Sequence, residues 1–309
     1  MKKSGAESGT NALHVRHEAE RAAALFPAML LEAERMAQTL SAGMHGRRRA
    51  GPGETFWQHR PYGFGDSVSS IDWRQSARAA DRLYVRQNEW EAAAAAYLWR
   101  DPSHSLDYSS QKGAPTKRMR ADILLAALTI LLSQAGERIG VLSGDAGREA
   151  RRPFQGRTAP ERVLEALHVD QFNDAGGAPP VTTTPAGARI VLASDFFTAP
   201  ERIERAVATL AGSGARGVLL QICDPAEEEF PFEGRVEFRD LESTERLIFG
   251  QTGSLAGAYK AKFAAHRGAL ETLAQKSGWT FLAHRTDRPP QTALLALFTA
   301  LGDLRAWKS

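Results

Sequence analysis

The spacing of apolar residues changes along the chain and divides it into two parts. Between residues 26 and 42, apolar side chains from Leu30 to Leu40 recur every three or four positions. This spacing predicts an amphipathic helix. Residues 54–91 instead combine aromatic and charged side chains without a helical period, which predicts short strands and turns.

From residue 92 onward, short apolar runs alternate with longer segments of helical period. The predicted strands are 92–98, 138–142, 190–194, 217–223 and 279–284. The predicted helices are 117–134, one that begins near 160, 200–211, 258–276 and 291–301. Strands that alternate with such helices predict an α/β fold, a three-layer arrangement with a mostly parallel, Rossmann-like sheet and a small N-terminal helix-plus-β module.

The same division predicts the domain organisation. Residues 1–24 form a charged lead-in, residues 25–91 an N-terminal module packed on the main domain, and residues 92–309 the main α/β domain. Within the main domain, the Gly- and Pro-rich stretch 176–185 is predicted to be a flexible connection. The acidic run 227–229 is predicted to be a solvated loop.

Composition narrows the class of protein. The hydrophobic fraction of 43% is enough for a full core, and the net charge of +3 does not by itself indicate nucleic-acid binding. A single cysteine, Cys223, excludes a disulfide framework and a cysteine-based zinc site. Because no apolar stretch reaches the roughly eighteen residues that span a bilayer, and the first residues lack a signal peptide, we expect a cytoplasmic protein.

The most informative local pattern is the pentapeptide Asp101-Pro102-Ser103-His104-Ser105, which follows an apolar run. One carboxylate and two hydroxyls make a compact all-oxygen site for a hard divalent cation. His104 is expected to point outward, because the alternate positions carry the oxygen donors. In an open α/β sheet, ligands bind at the carboxyl ends of the strands, where this pattern lies.

Two further oxygen-bearing residues follow in order. Thr158 precedes a predicted helix, and Asp195 ends a second apolar strand. The ordered set resembles the metal-ion-dependent adhesion site of von Willebrand factor A domains. The resemblance implies a von Willebrand factor A-like fold and Mg²⁺, or Mn²⁺ or Ca²⁺, held by Asp101, Ser103, Ser105, Thr158 and Asp195. Helix capping and turn chemistry are the alternative roles for the serines and for Asp195.

The segment before this pattern carries a denser set of motifs. It reads G-P-G-E-T-F at 51–56, R-P-Y-G-F-G-D at 60–66, I-D-W at 71–73 and S-A-R at 76–78. Together with the D-x-S-x-S strand end, these motifs resemble the domain-of-unknown-function family 58. The resemblance covers residues 25–300. It implies a von Willebrand factor A-like domain with an added N-terminal module, and a MoxR-type AAA+ ATPase as partner; other von Willebrand A-domain proteins are further possible partners.

The hallmark residues of this segment have two possible roles. They either lock the N-terminal module onto the sheet, with Trp73 as a buried anchor within a network of Asp–Arg pairs, or recognise a partner. The residues concerned are Arg60, Tyr62, Gly65, Asp66, Asp72, Trp73 and Arg78. The chain departs from the family pattern at Ser67, where a second Asp is usual, and at Ser69 or Ser70, where an Arg is usual.

These observations predict a non-catalytic, metal-dependent protein-binding adaptor that works with a MoxR-type ATPase in chaperone-like assembly or maturation. Two alternatives stay open, a Mg-dependent phosphoryl-transfer hydrolase and a nucleic-acid-binding protein. Neither a phosphate-binding Gly-rich loop ending in Lys-Ser nor a Gly-x-Ser-x-Gly elbow occurs in the sequence. Nucleic acid is disfavoured as a partner because no base-reading motif is present.

Overall fold

The computed structural model describes residues 31–40, 56–63, 68, 71–78, 82–88, 95–142, 153–170, 177–234, 236–239, 246–249 and 253–303. Its helices are α1 (31–40), α2 (Trp73–Ser76), α3 (Lys117–Gln134), α4 (Ala159–Asp170), α5 (Pro200–Gly212), α6 (Pro225–Glu229), α7 (Gly253–Lys276) and α8 (Pro290–Asp303). Its strands are β1 (Phe56–Pro61), β2 (Tyr84–Asn88), β3 (Ala95–Arg100), β4 (Arg138–Val141), β5 (Arg189–Ser194), β6 (Arg216–Cys223), β7 (Val236–Arg239), β8 (Arg246–Phe249) and β9 (Thr280–Arg285).

The centre of the protein is a five-stranded sheet in the order β4-β3-β5-β6-β9, and every pairing in it is parallel. The chain leaves β3 toward β4 on one side, whereas β5 lies on the other side of β3. In parallel α/β sheets such a reversal of strand order creates a crevice at the carboxyl ends. The crevice between β3 and β5 is therefore the expected place for a ligand.

Side chains alternate between the two faces of the sheet and build two separate cores. On β3, Ala96 and Leu98 pack with residues of α1, α3, α4 and α8. Tyr97 and Trp99 point to the opposite face and pack with residues of α5 and α7. The result is three layers, which confirms the predicted three-layer α/β class.

The predicted main-domain helices and strands are confirmed in type and order. The bounds of α3 coincide with the predicted 117–134. The strand predicted at 92–98 is β3, which begins three residues later than predicted and ends two residues later, at Ala95–Arg100. Thr116 caps α3, because its side chain accepts a hydrogen bond from the backbone N–H of Met119 at 3.2 Å. The antiparallel β7–β8 hairpin was not predicted.

The N-terminal part of the described chain adds helices α1 and α2 and one pair of strands. Helix α1 presents Met36 and two alanines, Ala33 and Ala37, to the core face formed by α3, α4 and α8. Strands β1 and β2 confirm the prediction of short strands in this region, and they pair antiparallel. Among the described residues, no helix is long and apolar enough to cross a membrane.

Candidate functional site

Three neighbouring strands end in carboxylates at the same edge of the sheet. The register pairs Arg100 of β3 with Ala193 of β5, and the backbone N–H of Asp101 donates to Ala193 O at 2.9 Å. Asp101 and Asp195 therefore follow their strands side by side, and Asp224 follows β6. All three are buried, with 1% of each residue exposed. The structure thus brings two of the predicted ligands, Asp101 and Asp195, to one place.

Asp101 is held rigidly within this group, which we call the strand-end cluster (Asp101, Ser103, Ser105 and Asp195). Its Oδ1 accepts a hydrogen bond from the backbone N–H of Ser103 at 2.8 Å, and its Oδ2 accepts one from Ser194 Oγ at 2.5 Å. Burial, followed by the charge of Asp195, raises the pKa of Asp101 to about 6. Its ionised form is therefore costly unless a cation approaches.

The two predicted serine ligands meet each other beside Asp101. Ser103 Oγ and Ser105 Oγ are 2.9 Å apart and share a hydrogen bond. Ser105 belongs to a short 3-10 helix, His104–Asp107, that follows the strand end. The two hydroxyls and the Asp101 carboxylate thus form a group of hard oxygen donors.

Arg118 of α3 holds this turn in place. Its Nη2 donates to Ser103 O at 2.8 Å, and its guanidinium pairs with Asp107. His104 points outward, as predicted, and its Nδ1 lies 3.1 Å from Asp107 Oδ2. Asp107 thus orders the turn through Arg118 rather than joining the oxygen donors.

A buried lysine that the sequence interpretation did not single out completes the site. Lys117 Nζ lies 2.7 Å from Asp195 Oδ2 and 2.5 Å from Glu227 Oε1, and only 1% of its side chain is exposed. Burial lowers the pKa of Lys117, but the charges of Asp195 and Glu227 outweigh this effect and raise the pKa to about 12. The ammonium group is therefore a permanent cation next to the strand-end cluster.

The prediction of a solvated acidic loop at 227–229 is wrong for Glu227. This stretch belongs to α6, where Asp224 is the N-cap and Glu227 completes a capping box by accepting from the backbone N–H of Asp224 at 2.8 Å. The pattern Asp-Pro-x-Glu at 224–227 was the available sequence signal for this cap. The cap holds Glu227 in position to form its ion pair with Lys117.

Thr158, the predicted third hydroxyl ligand, is not brought to the cluster. It precedes α4 and is exposed, and α4 reaches the strand-end edge only near its other end, where Leu167 O accepts from Arg100 Nη2 at 2.7 Å. Nine residues of α-helix separate the two positions by about 13 Å. The prediction failed because the chain first pairs Phe154 antiparallel with Ile139 and so runs back to the opposite edge.

The connection after α4 approaches the cluster instead. Gly177 has φ +67°, and a Cβ at this residue would lie 3.5 Å from Ser103 Cβ and 3.7 Å from Asp101 Oδ1. Gly177, Ala178 and Pro179 are buried, so the part of stretch 176–185 nearest the cluster is packed rather than a free linker. The absence of a side chain at Gly177 leaves space beside the oxygen donors.

A partly exposed aromatic surface adjoins the cluster. Phe197 follows Asp195 by two residues, donates its backbone N–H to Asp195 Oδ1 at 3.0 Å, and is 46% exposed. Its ring contacts Phe263 and His266 of α7, with ring centroids 6.1 and 5.8 Å away. The turn is shaped by Phe196, which is buried at φ 60°. An apolar side chain thus stands at the rim of the charged site.

The hallmark residues only partly fall within the described structure. Gly65 and Asp66 lie outside the described residues, and the side chain of Arg60 does as well. Asp72 caps α2, accepting from the backbone N–H groups of Arg74 and Gln75 at 3.1 and 3.0 Å.

The prediction that Trp73 is a buried anchor is wrong, because 61% of this residue is exposed. It is the first residue of a four-residue helix at the surface. Tyr62 is half-buried and Arg78 is exposed. Exposure therefore removes Trp73 from the anchoring role, and partner recognition by the hallmark stays a prediction.

Fold and site together define an α/β protein with an open parallel sheet and a cluster of carboxylates and hydroxyls at its carboxyl edge. The chain belongs to the family described as protein of unknown function DUF58, whose model matches residues 58–269, more than half of the chain. This confirms the family resemblance.

Two relatives and two solved structures are similar to this chain over most of its length. The uncharacterized proteins Rv1480 of Mycobacterium tuberculosis and Mb1516 of Mycobacterium bovis are each 28% identical over 273 residues, which covers 81% of this chain and 81% of theirs. The structure of the conserved hypothetical protein BatB from Bacteroides thetaiotaomicron is 14% identical with a TM-score of 0.44, and covers 69% of this chain and 99% of that one. An aerotolerance-related membrane protein from Bacteroides fragilis is 15% identical with a TM-score of 0.40, over 68% and 99% of the chains.

Proposed function

We propose that this protein is a non-catalytic binding adaptor with a von Willebrand factor A-like domain, and that it binds its partner through a divalent cation at the strand-end cluster. In this proposal Mg²⁺, or Mn²⁺ or Ca²⁺, is held by Asp101, Ser103 and Ser105, while Asp195 contributes charge. The observation that carries the proposal is the geometry of these residues: two serine hydroxyls 2.9 Å apart beside a buried carboxylate.

The donor set fits a hard cation that takes only a few of its ligands from the protein. Hydroxyl and carboxylate oxygens are the ligands that Mg²⁺ takes, and Mg²⁺ keeps water where protein does not fill its shell. A partner carboxylate can then replace one water. The described residues contain no group of three or more His, Cys, Asp or Glu side chains that could hold a metal ion, and this proposal therefore counts the two serine hydroxyls among the donors. A cation with few carboxylates around it keeps more of its charge for the partner.

The surroundings of the hydroxyls support binding rather than catalysis. Ser103 and Ser105 share their hydrogen bond with each other, and Ser194, whose hydroxyl does contact a carboxylate, is fully buried. A nucleophile needs both an activating base and access to substrate. Lys117 is committed to two ion pairs and is itself buried, so it does not supply that base.

The rim of the site suggests how a partner is recognised. Phe197 is one of the exposed large apolar residues in the described part of the chain, and it lies two positions after Asp195. In the proposed complex, the partner's acidic side chain completes the cation shell while an apolar neighbour packs on this ring. Aromatic side chains at the centre of an interface contribute much of its binding energy.

The proposed partner class is a MoxR-type AAA+ ATPase, and the proposed setting is chaperone-like assembly or maturation in the cytoplasm. The support for this class is the family resemblance, which is strengthened by the match to DUF58.

The test is a binding measurement between the purified protein and a MoxR-type ATPase from the same organism, in Mg²⁺ and in EDTA. We expect binding in Mg²⁺ and at least about a tenfold loss, corresponding to about 1.4 kcal/mol, in EDTA or with Ser103→Ala. Ser110→Ala is the matched control, because this serine is exposed in the following loop and uses only its backbone N–H, toward Asp224 Oδ2. Binding that is equal in both buffers and in all variants would place the interface elsewhere.

A further inference from the structure

We infer that Lys117 is a resident counter-ion of Asp195 and that it weakens the binding of divalent cations to the strand-end cluster. The inference rests on the proposed cation site but not on the proposed partner. It assigns a role to a buried charge that the oxygen-donor pattern leaves unexplained.

The ammonium group of Lys117 donates to the carboxylate oxygen of Asp195 that does not accept from the backbone. Asp195 Oδ1 already accepts from the N–H of Phe197, and Lys117 Nζ takes Oδ2 at 2.7 Å. Both oxygens of this carboxylate are therefore engaged by protein donors. A cation that uses Asp195 must share Oδ2 with a positive charge.

Lys117 is held so that it cannot leave this position freely. It is the first residue of α3, and its backbone N–H donates to Tyr108 O at 3.3 Å. The rings of Tyr108 and Phe197 lie 6.0 and 5.4 Å from Nζ. Glu227, the second partner of the ammonium, is fixed in turn by its capping box with Asp224.

Electrostatics then gives the direction of the effect. The carboxylates of Asp195 and Glu227 are neutralised in part by Lys117, so less negative charge is left for an incoming ion. A fixed unit charge a few ångströms from a divalent ion opposes binding strongly even at the screened dielectric near a protein surface. Removing the ammonium should strengthen cation binding by at least about tenfold.

The experiment titrates Mn²⁺ into the full chain by calorimetry, without any partner. Lys117→Met is the test variant, because methionine is unbranched and apolar and so fills the space without the charge. We expect its Kd for Mn²⁺ to be at least about tenfold below that of the wild type. Lys112→Met is the control, since it removes the same charge from an exposed position in the loop before α3 and should leave the Kd unchanged.

A second variant covers the case in which Lys117→Met does not fold. Lys117→Met combined with Glu227→Gln removes one positive and one negative charge and keeps the net charge of the lysine and its two partners. It should also bind Mn²⁺ more tightly than the wild type, because Asp195 Oδ2 then no longer contacts an ammonium group.

Either folded variant with a Kd equal to that of the wild type, or no Mn²⁺ uptake by any protein, would overturn the inference. If the variants bind Mn²⁺ more tightly but the ATPase binds equally well with and without the cation, only the proposed function is overturned.

Discussion

Replacing Asp101 by Asn should stabilise the cation-free protein, because the ionised carboxylate is costly where it lies. Burial and the charge of Asp195 raise its pKa from 3.8 to about 6. Since one pKa unit corresponds to about 1.4 kcal/mol, the ionised form destabilises the fold at pH 7 by about 3 kcal/mol. The Asn oxygen still accepts from the N–H of Ser103, but the hydrogen bond from Ser194 is lost or reversed, at about 1 kcal/mol. The expected net gain in the free energy of unfolding is about 2 kcal/mol.

The assay is urea unfolding of the wild type and Asp101→Asn in EDTA at pH 7. Because the folded-state pKa of Asp101 is raised, the folded state binds more protons between pH 6 and 3.8, so the contribution of this group to stability rises as the pH falls through that window. The advantage of the variant should therefore shrink at pH 5.

Asp107→Asn is the control for this experiment. Burial raises the pKa of Asp107, but hydrogen bonding to Arg118 outweighs this effect and lowers the pKa. Loss of this charge should therefore give no gain in the free energy of unfolding. A variant Asp101→Asn that is less stable than the wild type in EDTA would refute the reasoning and make Asp101 a structural carboxylate.

Two further predictions follow from the described structure. Trp73→Ala should change the free energy of unfolding by less than about 1 kcal/mol, because the residue is exposed, and a thermal melt checks this; a loss of several kcal/mol would restore the anchoring role. Burial, followed by the charge of Arg120, lowers the pKa of His284 from 6.5 to about 4. The unfolded state therefore binds more protons between pH 6.5 and 4, and this group should remove up to about 3 kcal/mol of stability as the pH falls through that window. Urea unfolding of wild type and His284→Leu across this range measures the effect, and equal pH dependence of the two proteins would contradict it.

The sequence predicts the main domain well because each of its elements is specified locally. The strands are short apolar runs, and α3 has a Thr cap directly before a long apolar segment. The parallel sheet then follows from the alternation of the two element types. The same local information places Asp101 and Asp195 at the ends of strands.

The sequence-based predictions were wrong or incomplete where contacts between distant parts of the chain determine a residue's position. Thr158 has the expected residue type and order, but the antiparallel return at Phe154 places it at the far edge. Lys117 looks like an ordinary first residue of a helix, and only the fold brings Asp195 and Glu227 to its ammonium. Trp73 was predicted to be buried because the hallmark was interpreted as a lock between the N-terminal module and the sheet, whereas its position at the start of a short surface helix exposes it.

The central claim is that a cation at the strand-end cluster joins this protein to its partner. The most direct measurement is a crystal structure of the complex with the MoxR-type ATPase grown in Mn²⁺, with the ion located by anomalous scattering. The account predicts a peak about 2 Å from Ser103 Oγ and Ser105 Oγ, with a carboxylate of the ATPase in its shell. A complex whose interface lies away from Asp101, or one that forms with no ion at these hydroxyls, would contradict it.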